Sequence, residues 1–372
     1  MLKTRTIDTT VPERALLVQV IIGNTDRAEA EESLAELERL ADTAGAEVVG
    51  AISQRRDKPT PSFYIGEGKL AEIQLACRNT GANLIIFDND LSPAQVNNLD
   101  MALGIKTIDR TELILQIFAR RARSAEAKAQ VELAQLQYLI SRIPISVKQA
   151  RFRGGIGMRG PGETPLQLRN EPMRRRIREL QKQLELLQRR REQSRKKNRW
   201  PLVCLVGYTN AGKSTLLNTL AHADAFVDDM LFATLDTKTR LLYIDEKQKV
   251  LLTDTVGFIR NLPHTLIASF KSTLDVTTQA DVLLIVVDAS YQYALDHLKV
   301  VHQTLAEIGA DKVPSIILLN KIDNPSAQTV LPELLKNFPD AIQISALKKI
   351  GLDRVKQAIA QKLNSNCLRT SY

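Results

Sequence analysis

Apolar and polar positions along this chain follow three successive rhythms. Over the first hundred residues, short apolar runs take turns with stretches of helical period. ALLVQVIIG (15–23) precedes RAEAEESLAELERLADTAG, in which Leu34, Leu37 and Leu40 share one face and Gly45 supplies a stop. EVVGAIS, KLAEIQLACRNTG, NLIIFDND and a helical stretch from Pro93 to Leu103 continue the alternation. Strands alternating with helices predict a small α/β layer on a parallel sheet, assigned to residues 1–110.

The second rhythm is helical throughout. Ala129, Leu133, Leu136, Ile140 and Ile143 recur at steps of four and three, and Met173, Ile177, Leu180, Leu184 and Leu187 repeat the pattern. Two such stripes predict an antiparallel helical hairpin with polar outer faces, assigned to residues 111–199. The connection between them carries RFRGGIGMRGPGETPLQLRN (151–170), whose glycines and prolines predict a loop over about 146–171. From Trp200 the alternation of strand and helix resumes to about residue 364, a third module, and residues 365–372 form a short tail.

Charge changes this picture in one place. The whole chain of 372 residues carries a formal net charge of +9, yet residues 147–199 alone hold 17 Lys and Arg against 5 Asp and Glu. The rest of the chain is therefore net acidic. Arg151, Arg153 and Arg159 in the loop, with Arg174, Arg175 and Arg176 on the second helix, are candidate contacts to an RNA backbone. The beginning MLKTRTIDTTVPERA lacks the apolar run of a signal peptide, and the longest apolar stretch, Val282 to Val287, is too short for a bilayer. A cytoplasmic protein without membrane insertion is expected. Cys77, Cys204 and Cys367 are widely spaced, match no metal pattern and read as reduced. The four histidines, His222, His264, His297 and His302, show no metal spacing either.

Candidate chemistry lies in the third module. LVCLVGYTNAGKSTL (202–216) runs an apolar strand into Gly207-x-x-x-x-Gly212-Lys213-Ser214 and on into a helix. In such a loop the backbone of Gly207, Tyr208, Thr209, Asn210, Ala211 and Gly212 can turn its N–H groups toward phosphate oxygens. Lys213 brings a point charge, Ser214 a hydroxyl for Mg²⁺, and Thr215 continues the helix. KVLLTDTVG puts Asp254 at a strand end, positioned to reach Mg²⁺ through water. Thr255 and Val256 lead to Gly257, whose N–H can meet a terminal phosphate. PSIILLNKID ends a buried strand in Asn320, Lys321, Ile322 and Asp323, and a carboxylate there can accept two hydrogen bonds from the guanine edge. Ser345, Ala346 and Leu347 follow another strand, where a backbone N–H can meet the guanine oxygen. These pieces predict GTP rather than ATP. Between loop and Asp254, a switch hydroxyl is expected at Thr234, flanked by Phe232, Ala233, Leu235 and Asp236, with Thr237 and Thr239 as alternatives. RLLYID and KVLLTD, separated by EKQ, read as an antiparallel hairpin. Phe258 stands where many GTP-hydrolysing enzymes place a water-orienting glutamine, so slow hydrolysis that depends on a partner is expected.

The set GYTNAGKST, DDMLFATLDTKTR, DTVGFIRNLPH, NKID and SAL, preceded by GGIGMRGPGET, resembles the HflX family of translation-factor-class GTPases. The resemblance spans all three modules. It implies a Ras-like P-loop GTPase domain behind an α/β domain and a hairpin, with Thr234 as the Mg²⁺-binding switch threonine. It also implies GTP and GDP as substrate and product, and a free monomer that binds the large ribosomal subunit and its RNA to separate ribosomes into subunits. Some members are reported to bind ATP through the N-terminal region and remodel RNA, but no second phosphate loop is legible in residues 1–199. Many members follow GPGET with a polar and an acidic residue, whereas this chain has Pro165 and Gln167.

Overall fold

The computed structural model describes residues 13–142, 165–196, 200–221, 231–232, 238–245, 248–261, 263 and 271–369. The chain divides into two compact units, Met1–Arg120 with Glu132–Glu179 and Arg121–Val131 with Leu180–Tyr372.

In the first unit the elements run β1 (Arg14–Ile22), α1 (Arg27–Ala44), β2 (Glu47–Arg56), α2 (Glu67–Thr80), β3 (Leu84–Phe87), α3 (Pro93–Leu103), β4 (Lys106–Asp109) and α4 (Arg110–Arg121). The strands form an all-parallel sheet in the order β2-β1-β3-β4. Its central strand β1 buries six consecutive residues, as expected when helices cover both faces. Local chemistry sets the helix ends. Gly45, at φ 83°, terminates α1, while a Ser92/Gln95 capping box and Pro93 in the first turn start α3. β4 and α4 lie in a stretch that the hydrophobic rhythm left unassigned. α4 buries Leu113, Ile114, Leu115, Ile117 and Phe118 and belongs with this sheet.

One face departs from expectation. α1 buries Leu37 and Leu40 but also Glu32, Ser33 and Glu36, and Leu34 is only half-buried. The reason is Arg110, 1% exposed, which pairs with Glu36 and with Asp88 at 2.8 Å. Asp88 also accepts from Ser33 at 2.7 Å and from Gln19 at 3.1 Å. Beside this network the fully buried Asp109 pairs with Arg142 and accepts from the Tyr138 hydroxyl at 2.8 Å and the Glu112 N–H at 2.9 Å. Burial, reinforced by the negative charge of Asp109 and Glu112, pushes the Tyr138 phenol far above its ordinary value.

The hairpin consists of α5 (Ala125–Ser141) and α6 (Pro165–Lys196). Residues 132–141 group with 165–179, and 121–131 group with 180 onward, which is antiparallel pairing. Leu180 is buried, and Met173, Ile177, Leu184 and Leu187 are partly buried while Arg174, Arg175 and Arg178 face solvent. Residues 165–171, expected in the loop, form the first turns of α6, and residues 146–164 lie outside the described residues. Pro165 explains the difference, since a proline at the first helical position has φ preset and lacks only an N–H that would have no intrahelical partner.

The second unit carries β5 (Leu202–Gly207), α7 (Lys213–Ala221), β6 (Lys238–Tyr243), β7 (Lys249–Asp254), α8 (Lys271–Thr278), β8 (Val282–Asp288), α9 (Ala294–Glu307), β9 (Ser315–Asn320), α10 (Ala327–Asn337), β10 (Ile342–Gln343) and α11 (Leu352–Arg369). α11 runs through residues 365–369, so most of the expected tail is helix. The sheet order is β10-β9-β8-β5-β7-β6, parallel except for the β6–β7 hairpin predicted from RLLYID and KVLLTD. Apolar clusters cover both faces, one around Leu205, Leu217 and Leu284, the other around Val206, Phe258 and Ile285. The fold is therefore a P-loop α/β domain preceded by a smaller α/β layer and a hairpin, as the sequence predicts. Among the described residues no helix is long and apolar enough to cross a membrane.

Candidate functional site

The segments that carry candidate chemistry collect at the C-terminal ends of the second sheet's strands. The glycine loop follows β5, Asp254 ends β7, Asn320 ends β9 and Ser345 follows β10. In an open α/β sheet this edge is where ligands bind, because loops there diverge and helix N-termini point in.

Close approach explains the glycines. A Cβ at Gly207, where φ is 152°, would strike the Val286 carbonyl, and one at Gly212, φ 93°, would strike the Asn320 amide. At Gly257 it would lie 2.9 Å from both Lys213 Nζ and Thr209 Cα. At all three positions only a residue without a side chain lets the loop lie this close to its neighbours. Lys213 is buried and donates to the carbonyls of Gly207 at 3.1 Å and Tyr208 at 2.7 Å. Burial pushes its ammonium down to about 8, against the opposing pull of Asp254. The Ser214 hydroxyl donates to Asp254 Oδ2 at 2.6 Å, so two hard oxygen donors stand side by side. Thr255, also buried, is anchored by donation to the Leu205 carbonyl at 2.7 Å. Asn210 adopts a left-handed φ of 60°, and Ala211 is buried beneath the loop.

The base-selecting segments are tied to this loop by one residue. Asn320 donates to the Ala211 carbonyl at 2.9 Å and accepts from the Ala346 N–H at 2.9 Å. Lys321, at φ 64°, pairs with Asp288 at the end of β8 at 2.7 Å. Asp323 is exposed and Ile322 half-buried. Ser345 is buried and accepts from the Lys348 N–H at 2.9 Å, whereas Leu347 is 71% exposed. Val256 and Phe232 are buried, and Thr215 is half-buried in α7. Ala233, Thr234, Leu235, Asp236 and Thr237 lie outside the described residues, as do Arg151, Arg153, Arg159, His222 and His264. Thr239, one of the alternatives to Thr234, has its hydroxyl 2.8 Å from that of Thr253 within the β6–β7 pair. Arg174 and Arg175 are exposed, whereas Arg176 forms a bidentate pair with Glu132 at 2.7 and 2.8 Å.

Phe258 answers its own puzzle. Its side chain is 1% exposed and packs in the apolar cluster with Cys204, Val206 and Ile285, so the ring is a core residue and does not stand over the phosphate space.

Three family models match along the chain: GTP-binding GTPase N-terminal over residues 31–119, GTP-binding GTPase Middle Region over 121–198, and 50S ribosome-binding GTPase over 202–321. A GTPase HflX of Caldanaerobacter subterraneus subsp. tengcongensis is 47% identical over 359 residues, which span 94% of this chain and 81% of that protein. The chain belongs to the HflX family of GTPases. The GTPase HflX of Escherichia coli strain K12 is 42% identical over 357 residues, covering 95% of this chain and 83% of that one. Among solved structures, the complex of SsGBP with GDP aligns at 28% identity and a TM-score of 0.51, over 95% of this chain and 99% of that one. As an HflX-family member the chain is a GTP-binding protein and GTP hydrolase, in agreement with the guanine selectivity expected from NKID and SAL.

The sequence suggests that Tyr208 packs against a switch rather than doing chemistry, but it does not reveal His297 as its partner. The Tyr208 ring stacks on His297, centroids 3.5 Å apart and planes 4° from parallel, and its hydroxyl accepts from the Arg260 N–H at 2.8 Å. His297 shares the buried face of α9 with Ala294, Leu298 and Val301, a spacing that was open to view in the sequence.

Proposed function

We propose that this GTPase acts on the large ribosomal subunit, with slow intrinsic hydrolysis that the ribosome accelerates. GTP lies with its phosphates against residues 207–215 and Gly257, and its base lies between Asp323 and a backbone N–H of the Ser345, Ala346, Leu347 segment. Tyr208, Thr209, Asn210 and Ala211 contribute backbone, Lys213 the positive charge, and Asn320 holds loop and base segment in register. Mg²⁺ fits the paired oxygen donors, held by Ser214, by Asp254 through water and by Thr234, and would neutralise charge on the terminal phosphates.

The residue type at position 258 carries the proposal. A phenylalanine offers no polar group to orient the attacking water, and ordering a water is worth several powers of ten in rate; its burial by itself fits equally a neighbouring residue that replaces glutamine in cis. A partner that supplies or orders such a group converts a long-lived GTP form into a short-lived one. The family model's description, 50S ribosome-binding GTPase, supports the ribosome as that partner. Exposed Arg174 and Arg175, with Arg151, Arg153 and Arg159 of the basic loop, are proposed to grip ribosomal RNA phosphates in the cytoplasm, and the free protein is proposed to be monomeric.

Turnover with and without purified ribosomal subunits tests this, combined with sedimentation of ribosomes in GTP, GDP and a non-hydrolysable analogue. Stimulation by the large subunit, and separation of subunits by the GTP form, is the expected result. Rapid turnover by the isolated protein refutes partner dependence, and RNA unwinding with ribosomes left intact would replace splitting by RNA remodelling.

A further inference from the structure

Residues 258–260, just beyond Gly257, are pinned to the phosphate loop at three points. The Phe258 N–H donates to the Gly207 carbonyl at 3.1 Å, the Thr209 N–H donates to the Phe258 carbonyl at 2.8 Å, and the Arg260 N–H donates to the Tyr208 hydroxyl at 2.8 Å. The first two are backbone bonds, which any side chains could accompany. The third exists only because residue 208 ends in a hydroxyl at the right distance. That hydroxyl is itself held in place, because the ring is 4% exposed and lies flat on His297, which also stacks on Tyr291 at 4.7 Å. His297 sits in the first turn of α9, an element separate from both the phosphate loop and residues 258–260.

We infer that Tyr208 is a positioning residue for hydrolysis: its hydroxyl fixes the backbone at residue 260, and thereby sets where Gly257 presents its N–H. The inference rests on the nucleotide placement proposed above. Its physical basis is leverage. Gly257 and Arg260 are three residues apart on one short segment. Without the Tyr208 bond, residue 260 keeps the long Arg260–Asp296 side-chain pair at 3.9 Å, and Gly257 is placed by the Phe258 backbone bonds and buried ring without the bond beyond them. An enzyme with no polar side chain at position 258 draws its transition-state contacts at this point from backbone, and backbone contacts are only as good as their placement. The Tyr208 side chain turns away from the phosphate space and so makes no direct contribution to nucleotide affinity.

Tyr208→Phe keeps the ring stack and removes the bond. The expected result is a kcat for GTP about fivefold lower, with and without large ribosomal subunits, at unchanged KM and unchanged GDP affinity. Trypsin cleavage after Arg260 in the protein bound to a non-hydrolysable GTP analogue should become faster. Tyr208→Leu, which also removes the stack, should lower kcat further. Wild-type kcat and wild-type cleavage in Tyr208→Phe would overturn the inference, as would a loss of GDP affinity equal to the loss of kcat, the mark of a damaged loop. A wild-type protein that large subunits fail to stimulate would instead refute the ribosomal reading, and basal turnover would still report on Tyr208.

Discussion

Two parallel sheets in this chain treat the same edge in opposite ways. At the C-terminal ends of β3 and β4 the first sheet places Asp88, Asp109 and Arg110, and fills the space with their partners Glu36, Ser33, Tyr138 and Arg142. Asn89 closes the point where strand order reverses by bonding both the N–H and the carbonyl of Val20, at 2.7 and 3.0 Å. The second sheet leaves this edge lined by Gly207, Gly212 and Gly257, with one buried lysine whose charge burial disfavours. Architecture alone therefore does not make a ligand site. What separates the two is whether buried charge is answered by the protein's own side chains or left for a ligand to answer.

This contrast can be broken from either side. The largest effect is expected in the first sheet, where Arg110→Met strands Glu36 and Asp88 without their cation and should cost about 3–5 kcal/mol in urea unfolding, with GDP affinity unchanged. In the second sheet Lys213→Ala should lower GTP turnover about a hundredfold while circular dichroism shows the empty protein still folded. Asp323→Ala should erase most of the preference for GTP over ATP in competition binding, because the guanine edge loses its double acceptor.

A smaller effect sharpens the comparison through pH. Lys213 titrates near 8 when no phosphate is present, and bound phosphates favour its charged form. Above that pH, nucleotide binding must take up a proton, so affinity should fall as pH rises, by about tenfold between pH 7 and pH 9. Calorimetry in buffers of different ionisation enthalpy would register the proton, and a flat profile would mean that Lys213 is charged in the empty protein throughout this range.

The second sheet was almost fully legible because its chemistry is local: GYTNAGKS, DTVG and NKID each place their groups within a few residues, and their apolar flanks mark the strands. The β6–β7 hairpin and the ends of α1 and α3 were legible for the same reason. What escaped was long-range pairing. Glu36 and Arg110 are 74 residues apart, and a helix face that buries a glutamate cannot be read as buried until its cation is known. Tyr208 and His297 posed the same problem from two segments of ordinary appearance. The start of α6 is hidden in the sequence because Pro165 reads as a breaker, although at a first helical turn it is compatible with the helix.

Arg142 follows α5 directly. Its guanidinium is joined to Asp109, donates to the Leu91 carbonyl at 2.9 Å and lies 4.2 Å over the Tyr138 ring. The C-terminal end of α5 is therefore fastened to the first sheet, and its last turn cannot fray without breaking an ion pair, a hydrogen bond and a cation–ring contact together.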